Sequence, residues 1–236
     1  MGCRLAGRLL GCLLLTISLS CSIGHREKPL NPNLLFTVGA SFLDEASAMA
    51  LKGEIEFGDD TGTQSGGFEI YLAGSDSISF VIEGPLGADV FKMIVDSENA
   101  YLLSNKDEGW VVLNKSERAV IAEYGIDNIS PFYTGLYLFP QFYIRSEFKR
   151  DEFSPLSFSY GPGNFKFGYT EESNKLFLSE PQTAITAEYS RCREMGDGYY
   201  PARIRIFEPD QDWEISMKIN KIRINPQISE RVWRRD

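Results

Sequence analysis

Residues 202–224 read ARIRIFEPDQDWEISMKINKIRI, and this stretch decides the fold class. Ile204 and Ile206 alternate with Arg203 and Arg205. Beyond the polar residues that follow, four apolar residues again share one parity: Trp213, Ile215, Met217 and Ile219. Alternation with a period of two is typical of strands that bury one face and expose the other. The stretch therefore predicts two strands of an antiparallel sheet.

The alternation in the last of these strands changes phase after Ile219. Ile222 and Ile224 have the opposite parity to the apolar residues before them. A slip of one residue turns every later side chain to the other face of a sheet. We therefore predict a β-bulge or bend near Asn220 and Lys221.

The same pattern recurs on the N-terminal side, with turn residues about every 8–12 positions. The predicted strands are 52–57, 68–72, 78–82, 90–95, 99–103, 110–113, 165–169, 176–178 and 185–189. Strands in both halves of the chain predict a mostly β (α+β) fold, with one long curved antiparallel sheet and helices on its concave side.

Three segments are predicted to be helical. Residues 41–51 begin with a plausible N-cap, Ser41, and carry apolar residues at helical spacing. Residues 116–124 have Glu117 in the first turn. Residues 131–143 are dense in aromatic side chains, and we expect a short helix ending before Pro140: the aromatic residues are Phe132, Tyr133, Tyr137, Phe139, Phe142 and Tyr143. This last helix is either packed on the sheet or a plug for an apolar cavity, and the two interpretations are compatible.

The N-terminus has the three parts of a secretory signal. Arg4 and Arg8 precede an apolar run over 9–17, which is too short to span a bilayer. Small and polar residues follow, and then Cys21, in a pattern that resembles the lipobox of bacterial lipoproteins. The alternative is an ordinary secreted protein cleaved near Ser20. We expect a signal peptide over 1–20, a lipid-anchored tether over 21–34, and one domain over 35–236.

Charge and cysteine content limit the partners. Removing the signal takes away two of the 24 basic residues, which leaves a net charge of about −11. An acidic domain has no basic footprint for nucleic acid. Of the four cysteines, Cys3 and Cys12 leave with the signal, and lipid on Cys21 leaves Cys192 as a single thiol in a strand. Ser22, in place of Asp after the lipidated Cys, favours sorting to the outer membrane.

No catalytic or metal-binding motif is recognisable. The only histidine, His25, lies in the predicted tether, and no cysteine pair has zinc spacing. The G-x-S-x-G, P-loop and G-x-G-x-x-G patterns are absent. We expect no enzyme activity, no metal and no cofactor; a hydrolase would need carboxylates that converge in a cleft.

Short motifs resemble the lipoprotein-localisation superfamily that includes LolA and LolB. They are Lys52-Gly53 opening a strand, the turn Gly84-Pro85-Leu86-Gly87, and the strands of residues 202–225. Over residues 35–230 the resemblance implies an unclosed half-barrel whose apolar cavity receives acyl chains. The resemblance also implies that Pro85 and Leu86 match the turn of LolB, where a protruding leucine helps to insert lipoproteins into the outer membrane. Phe132, Tyr137 and Phe139 are our candidate cavity residues.

The leading hypothesis is therefore a monomeric lipoprotein of the outer membrane that faces the periplasm and binds acyl chains or lipoproteins. The alternative is a structural or assembly lipoprotein whose cavity is filled by its own side chains and which acts through protein partners.

We predict that Leu86→Glu weakens acyl binding or transfer and leaves the domain folded, because the change places a charge at the implied contact with lipid. Acyl binding and the unfolding transition of the variant are the measurements. Unchanged binding would remove Leu86 from the site.

Overall fold

The computed structural model describes most of the chain after the predicted tether. The described residues are 27–29, 46–59, 62–74, 77–84, 87–104, 108–121, 126–140, 156–170, 175–195 and 198–235. The predicted signal peptide, Cys21, Pro85 and Leu86 lie outside them. None of the described helices is long and apolar enough to cross a membrane.

Strands dominate the described residues. They are β1 (Lys28–Pro29), β2 (Ala48–Asp59), β3 (Gly62–Ala73), β4 (Ser77–Glu83), β5 (Asp89–Val95), β6 (Asn99–Ser104), β7 (Val111–Asn114), β8 (Ala119–Ile121), β9 (Ile126–Ile129), β10 (Leu156–Tyr160), β11 (Gly163–Thr170), β12 (Lys175–Ser179), β13 (Thr186–Met195), β14 (Gly198–Phe207) and β15 (Glu214–Ile224). A 3₁₀ turn (Pro131–Tyr133) leads into one short α-helix, α1 (Thr134–Leu138), and a second 3₁₀ turn (Glu230–Trp233) lies near the C-terminus.

One antiparallel sheet of 13 strands forms the body of the molecule. Its order is β10-β11-β12-β13-β14-β15-β2-β3-β4-β5-β6-β7, and β1 pairs with β13 beside this path. The outermost strands β7 and β10 do not pair with each other in the part of the chain that is described, so the sheet is not closed into a barrel. Strands β8 and β9 form a separate pair. This architecture confirms the predicted fold class.

The sheet curls around the segment that contains α1. Tyr133 contacts Phe165 of β11, with 4.9 Å between ring centroids, and also lines a groove with Val95 of β5. These two strands are eight positions apart in the sheet, so a flat sheet would separate them by about 38 Å. The face towards Tyr133 is therefore concave, and the apolar residues of the alternating strands are buried on it.

The last strand behaves as its sequence predicts. Ile215, Met217 and Ile219 are buried, and the register of β15 against β2 shifts between Ile219 and Lys221. This confirms the β-bulge predicted there.

The predicted helix over 41–51 is wrong where the structure describes it. Ala48–Leu51 begins β2 and pairs with β15 on one side and β3 on the other. Leu51 lies opposite both Ile222 and Ile70, and it is fully buried. Pairing on both sides satisfies the backbone N–H and C=O groups of the segment. This pairing outweighs the weak helical preference indicated by the spacing of its apolar residues.

The predicted helix over 116–124 is also wrong for residues 116–121, while 122–124 lie outside the described residues. Ser116 lies in a turn, and residues 119–121 form β8. The Asn114 side chain accepts a hydrogen bond from the Ser116 backbone N–H (3.0 Å), and the Glu117 carboxylate accepts one from the Asn114 backbone N–H (2.6 Å). Polar side chains that bond to nearby backbone groups favour turns over helices.

Part of the predicted tether contacts the domain. Lys28–Pro29 pairs with β13, where Lys28 lies opposite Cys192, a buried thiol. The Glu27 carboxylate accepts hydrogen bonds from Arg193 (3.1 Å) and Arg203 (2.8 Å). Burial alone would raise the pKa of Glu27, but these two guanidinium groups hold it below its usual value.

We predict that Gly53→Ala lowers the free energy of unfolding by about 2 to 3 kcal/mol. Gly53 lies opposite Ile219, beside the bulge, and an added Cβ would come within 2.1 Å of the Lys218 carbonyl oxygen and 2.6 Å of the Phe68 ring. Gly67→Ala is the matched control, because the atom nearest to its added Cβ would be a Glu83 carboxylate oxygen at 3.6 Å. Urea unfolding measures both variants, and equal stabilities would contradict the crowding at Gly53.

Candidate functional site

An apolar cavity of about 70 Å³ lies between the concave face of the sheet and α1. The described residues that line it include no charged side chain. The sheet contributes residues that include Ile55, Phe57, Phe80, Ile82, Phe91 and Met93. The opposite wall comes from Ala119, Ile126 and Ile129 of the β8–β9 pair and from the segment that follows it. Such a surface can hold hydrocarbon.

Residues 130–139, the plug segment, cover the concave face. Pro131 occupies the first position of the 3₁₀ turn, where its missing N–H leaves no bond unmade. The turn passes into α1, which ends where the Phe139 N–H donates to the Gly135 carbonyl (2.9 Å). Leu136 and Leu138 are at most 1% exposed. The helix ends before Pro140, as predicted, and it packs on the sheet while closing the cavity.

Aromatic contacts hold the start of the plug segment. The Tyr133 ring meets Phe165 edge-on and lies 6.5 Å from the Tyr137 ring. Gly163 makes this approach possible, because a Cβ at that position would come within 2.6 Å of the Tyr133 hydroxyl. Burial raises the pKa of the Tyr133 hydroxyl, which is therefore neutral at physiological pH.

A buried ion pair fastens the loop before β8. The Arg118 guanidinium donates two hydrogen bonds to the Glu180 carboxylate, at 3.0 and 2.5 Å, in a bidentate arrangement. Glu180 is fully buried, and the Thr183 hydroxyl donates a further bond to it (2.9 Å). Arg118 also lies 5.3 Å from the centre of the Tyr133 ring. The pair therefore connects the wall of the cavity to the turn between β12 and β13.

One direct hydrogen bond connects the helix itself to the sheet. The Tyr189 hydroxyl donates to the Tyr137 backbone carbonyl at 2.8 Å. Burial raises the pKa of the Tyr137 hydroxyl, and the nearby Glu180 carboxylate adds to the effect. Burial likewise raises the pKa of Tyr189 well above its usual value. Both phenols stay neutral, so the site keeps its uncharged character.

Two residues that line the cavity, Ser130 and Tyr137, have a buried side-chain hydroxyl without a hydrogen-bond partner among the described residues. Ser130 is 2% exposed. It stands at the N-cap of the 3₁₀ turn but does not cap it with its side chain.

The sequence-predicted site residues do not all meet at the cavity. Tyr137 lines it. Phe139 is buried in the core without lining it, and Phe132 lines a separate groove of about 220 Å³. Pro85 and Leu86 lie outside the described residues.

Sequence reasoning missed Ser130, Arg118 and Glu180. The ion pair joins residues 62 positions apart, and a single sequence has no signal that links a particular arginine to a particular glutamate. Ser130 directly precedes Pro131, which marks a helix start, but nothing in the sequence shows that its hydroxyl stays unbonded.

Neither a protein-family model nor a curated protein sequence matches this chain. Its structural neighbours include LolA superfamily proteins. One is the LolA superfamily protein NE2245 from Nitrosomonas europaea, with 10% identity, a TM-score of 0.42, and coverage of 84% of this chain and 98% of that one.

Two further structures are similar. A domain described as an outer membrane lipoprotein-sorting protein from Vibrio parahaemolyticus has 7% identity, a TM-score of 0.46, and coverage of 83% and 95%. A DUF1329 family protein from Desulfovibrio piger has 10% identity, a TM-score of 0.47, and coverage of 82% and 92%.

We predict that Glu180→Gln lowers the free energy of unfolding by about 2 to 3 kcal/mol, because it leaves the Arg118 guanidinium without its counter-charge. Glu54→Gln is the matched control: Glu54 pairs with Lys218 but is 61% exposed, so we expect a change below about 1 kcal/mol. Urea unfolding at neutral pH compares them, and equal losses would show that the buried pair does not fasten the loop.

Proposed function

We propose that this chain is a lipid-anchored protein of the bacterial envelope that binds acyl chains, free or on lipoproteins, against the concave face of its sheet. The observation that carries the proposal is the uncharged apolar cavity between the sheet and the plug segment. Ligand sites are concave and mostly apolar, with few polar groups. Such a site needs no catalytic residue, and we propose that the protein is not an enzyme.

The size of the cavity determines how an acyl chain would enter it. About 70 Å³ is far below the roughly 300–1,000 Å³ of ligand pockets. A long acyl chain therefore enters only if the plug segment moves away from the sheet. Each buried methylene group contributes about 0.8 kcal/mol, so acyl carbons that replace Leu138 and Tyr137 recover much of the apolar contact that the plug gives up.

Few polar bonds oppose this movement. Among the described residues, the Tyr189–Tyr137 hydrogen bond joins a sheet side chain to the backbone of α1. The Arg118–Glu180 pair lies in the loop before β8 and outside the plug segment, so it can remain in place while the plug moves.

Lipidation of Cys21 gives the proposed anchor. Glu27 is bonded to Arg193 and Arg203, and the six residues from Cys21 to Glu27 span at most about 20 Å. An anchored domain is then held close to the bilayer, where acyl chains are available. We place it on the periplasmic face of the outer membrane, because Ser22 follows Cys21.

The second candidate is a structural envelope lipoprotein whose cavity is filled by its own plug. The small volume favours it, because the plug segment and the sheet leave only about 70 Å³ between them. It differs from the first candidate in one respect: the plug stays in place and no lipid enters.

Acyl uptake separates the two candidates. The chain without its signal, and with Cys21→Ala, is examined by native mass spectrometry as purified and after addition of a fluorescent fatty acid. Ala119→Leu adds three carbon atoms at a residue that lines the cavity, so we expect it to lower uptake at least fivefold without loss of stability.

Val112→Leu is the control, because Val112 is 53% exposed on β7 and does not line the cavity. Its uptake should equal that of the parent chain. Absence of uptake in the parent chain, or equal uptake by the Ala119→Leu variant, would contradict acyl binding and favour the structural candidate.

A further inference from the structure

We propose that Ser130 is the polar contact of the site, and that its hydroxyl donates a hydrogen bond to the carbonyl oxygen of a neutral acyl ester. This inference rests on the proposed function and names the chemical class of the ligand: an acyl ester in preference to a hydrocarbon or an ionised fatty acid.

The first observation is the state of the Ser130 hydroxyl. It is buried beside the cavity without a hydrogen-bond partner among the described residues. Buried polar groups are nearly always bonded, and an exception needs an explanation. The Thr134 and Tyr189 hydroxyls nearby are bonded, to the Pro131 carbonyl at 2.7 Å and to the Tyr137 carbonyl, whereas the Tyr137 hydroxyl, like that of Ser130, has no partner among the described residues.

Local structure does not use this hydroxyl. A serine at an N-cap usually accepts a bond from the backbone N–H two or three residues later. Here the Tyr133 N–H donates to the Ser130 backbone carbonyl instead (3.1 Å), and the side chain makes no capping bond. Any residue able to adopt the extended backbone of this position (φ −90°, ψ 120°) would serve the turn equally well. The hydroxyl is therefore available to a ligand.

The surroundings select the ligand's polar group. Among the described residues, no charged side chain lines the cavity, so an ionised carboxylate bound against them would lose its hydration without gaining a counter-ion. An ester carbonyl carries no charge and accepts the bond that Ser130 can donate. A plain hydrocarbon would leave the hydroxyl unbonded. Ser130 is the first residue of the plug segment and directly precedes its turn, so a carbonyl held at this end places the tail along the face that the rest of the segment vacates.

Three ligands of equal chain length test the proposal: methyl dodecanoate, dodecanoic acid and dodecane. Each displaces N-phenyl-1-naphthylamine, a fluorescent probe without a carbonyl group, from the chain without its signal and with Cys21→Ala. We expect the ester to bind more tightly than the acid at pH 8 and than the alkane. In the Ser130→Ala variant the ester should lose about threefold to tenfold in affinity, the effect of one neutral hydrogen bond, while the alkane is unchanged.

Ser79→Ala is the matched control. Ser79 is also fully buried, but its hydroxyl donates to the Val232 carbonyl (3.0 Å) and it does not line the cavity. Its ratio of ester to alkane affinity should equal that of the parent chain. The thermal transition of the Ser130→Ala variant should not fall, because no hydrogen bond is lost.

The outcomes separate the two proposals. If none of the three ligands displaces the probe from the parent chain, acyl binding fails and the role of Ser130 fails with it. If ester and alkane bind, and Ser130→Ala leaves their ratio unchanged, acyl binding stands and the role of Ser130 is overturned. Tighter binding of the acid than of the ester would overturn the preference for a neutral ligand.

Discussion

The structure depends on one constraint: a sheet of 13 strands has an apolar concave face that must be kept from water. Edge-to-edge closure would solve part of this problem, but β7 and β10 do not pair in the described residues. The ten residues of the plug segment cover the face instead. Their close fit explains the small volume of the cavity, and their position explains why ligand and plug would compete for the same surface.

The loop before β8 and the helix α1 are held to the sheet by different kinds of interaction. The loop before β8 is tied by a bidentate ion pair with the buried Glu180. The helix is tied to β13 by a hydrogen bond from Tyr189 to the Tyr137 carbonyl, and it buries Leu136 and Leu138 in apolar contact. Apolar contacts are not directional, so a hydrocarbon chain that buries a similar area can replace them approximately. The arrangement therefore favours movement of the plug over movement of the wall.

Period-two patterning made the sheet predictable, because each strand buries one face; the bulge after Ile219 followed from the same rule. The helices were less predictable. Ala48–Leu51 carries a helical stripe, yet two neighbouring strands pair with it. Only Tyr137 of the three aromatic candidates lines the cavity, since density of aromatic residues does not show which way each ring points. The isolation of the Ser130 hydroxyl depends on atomic geometry that no sequence pattern encodes.

The central claim is that an acyl ligand takes the place of the plug segment. Hydrogen–deuterium exchange with and without saturating methyl dodecanoate tests it most directly, with the Phe139 amide, which is bonded to the Gly135 carbonyl, as reporter. The account predicts faster exchange over residues 135–139 with ligand, while β4 and β5 stay protected. Unchanged or slower exchange over 135–139 at saturating ligand would contradict it.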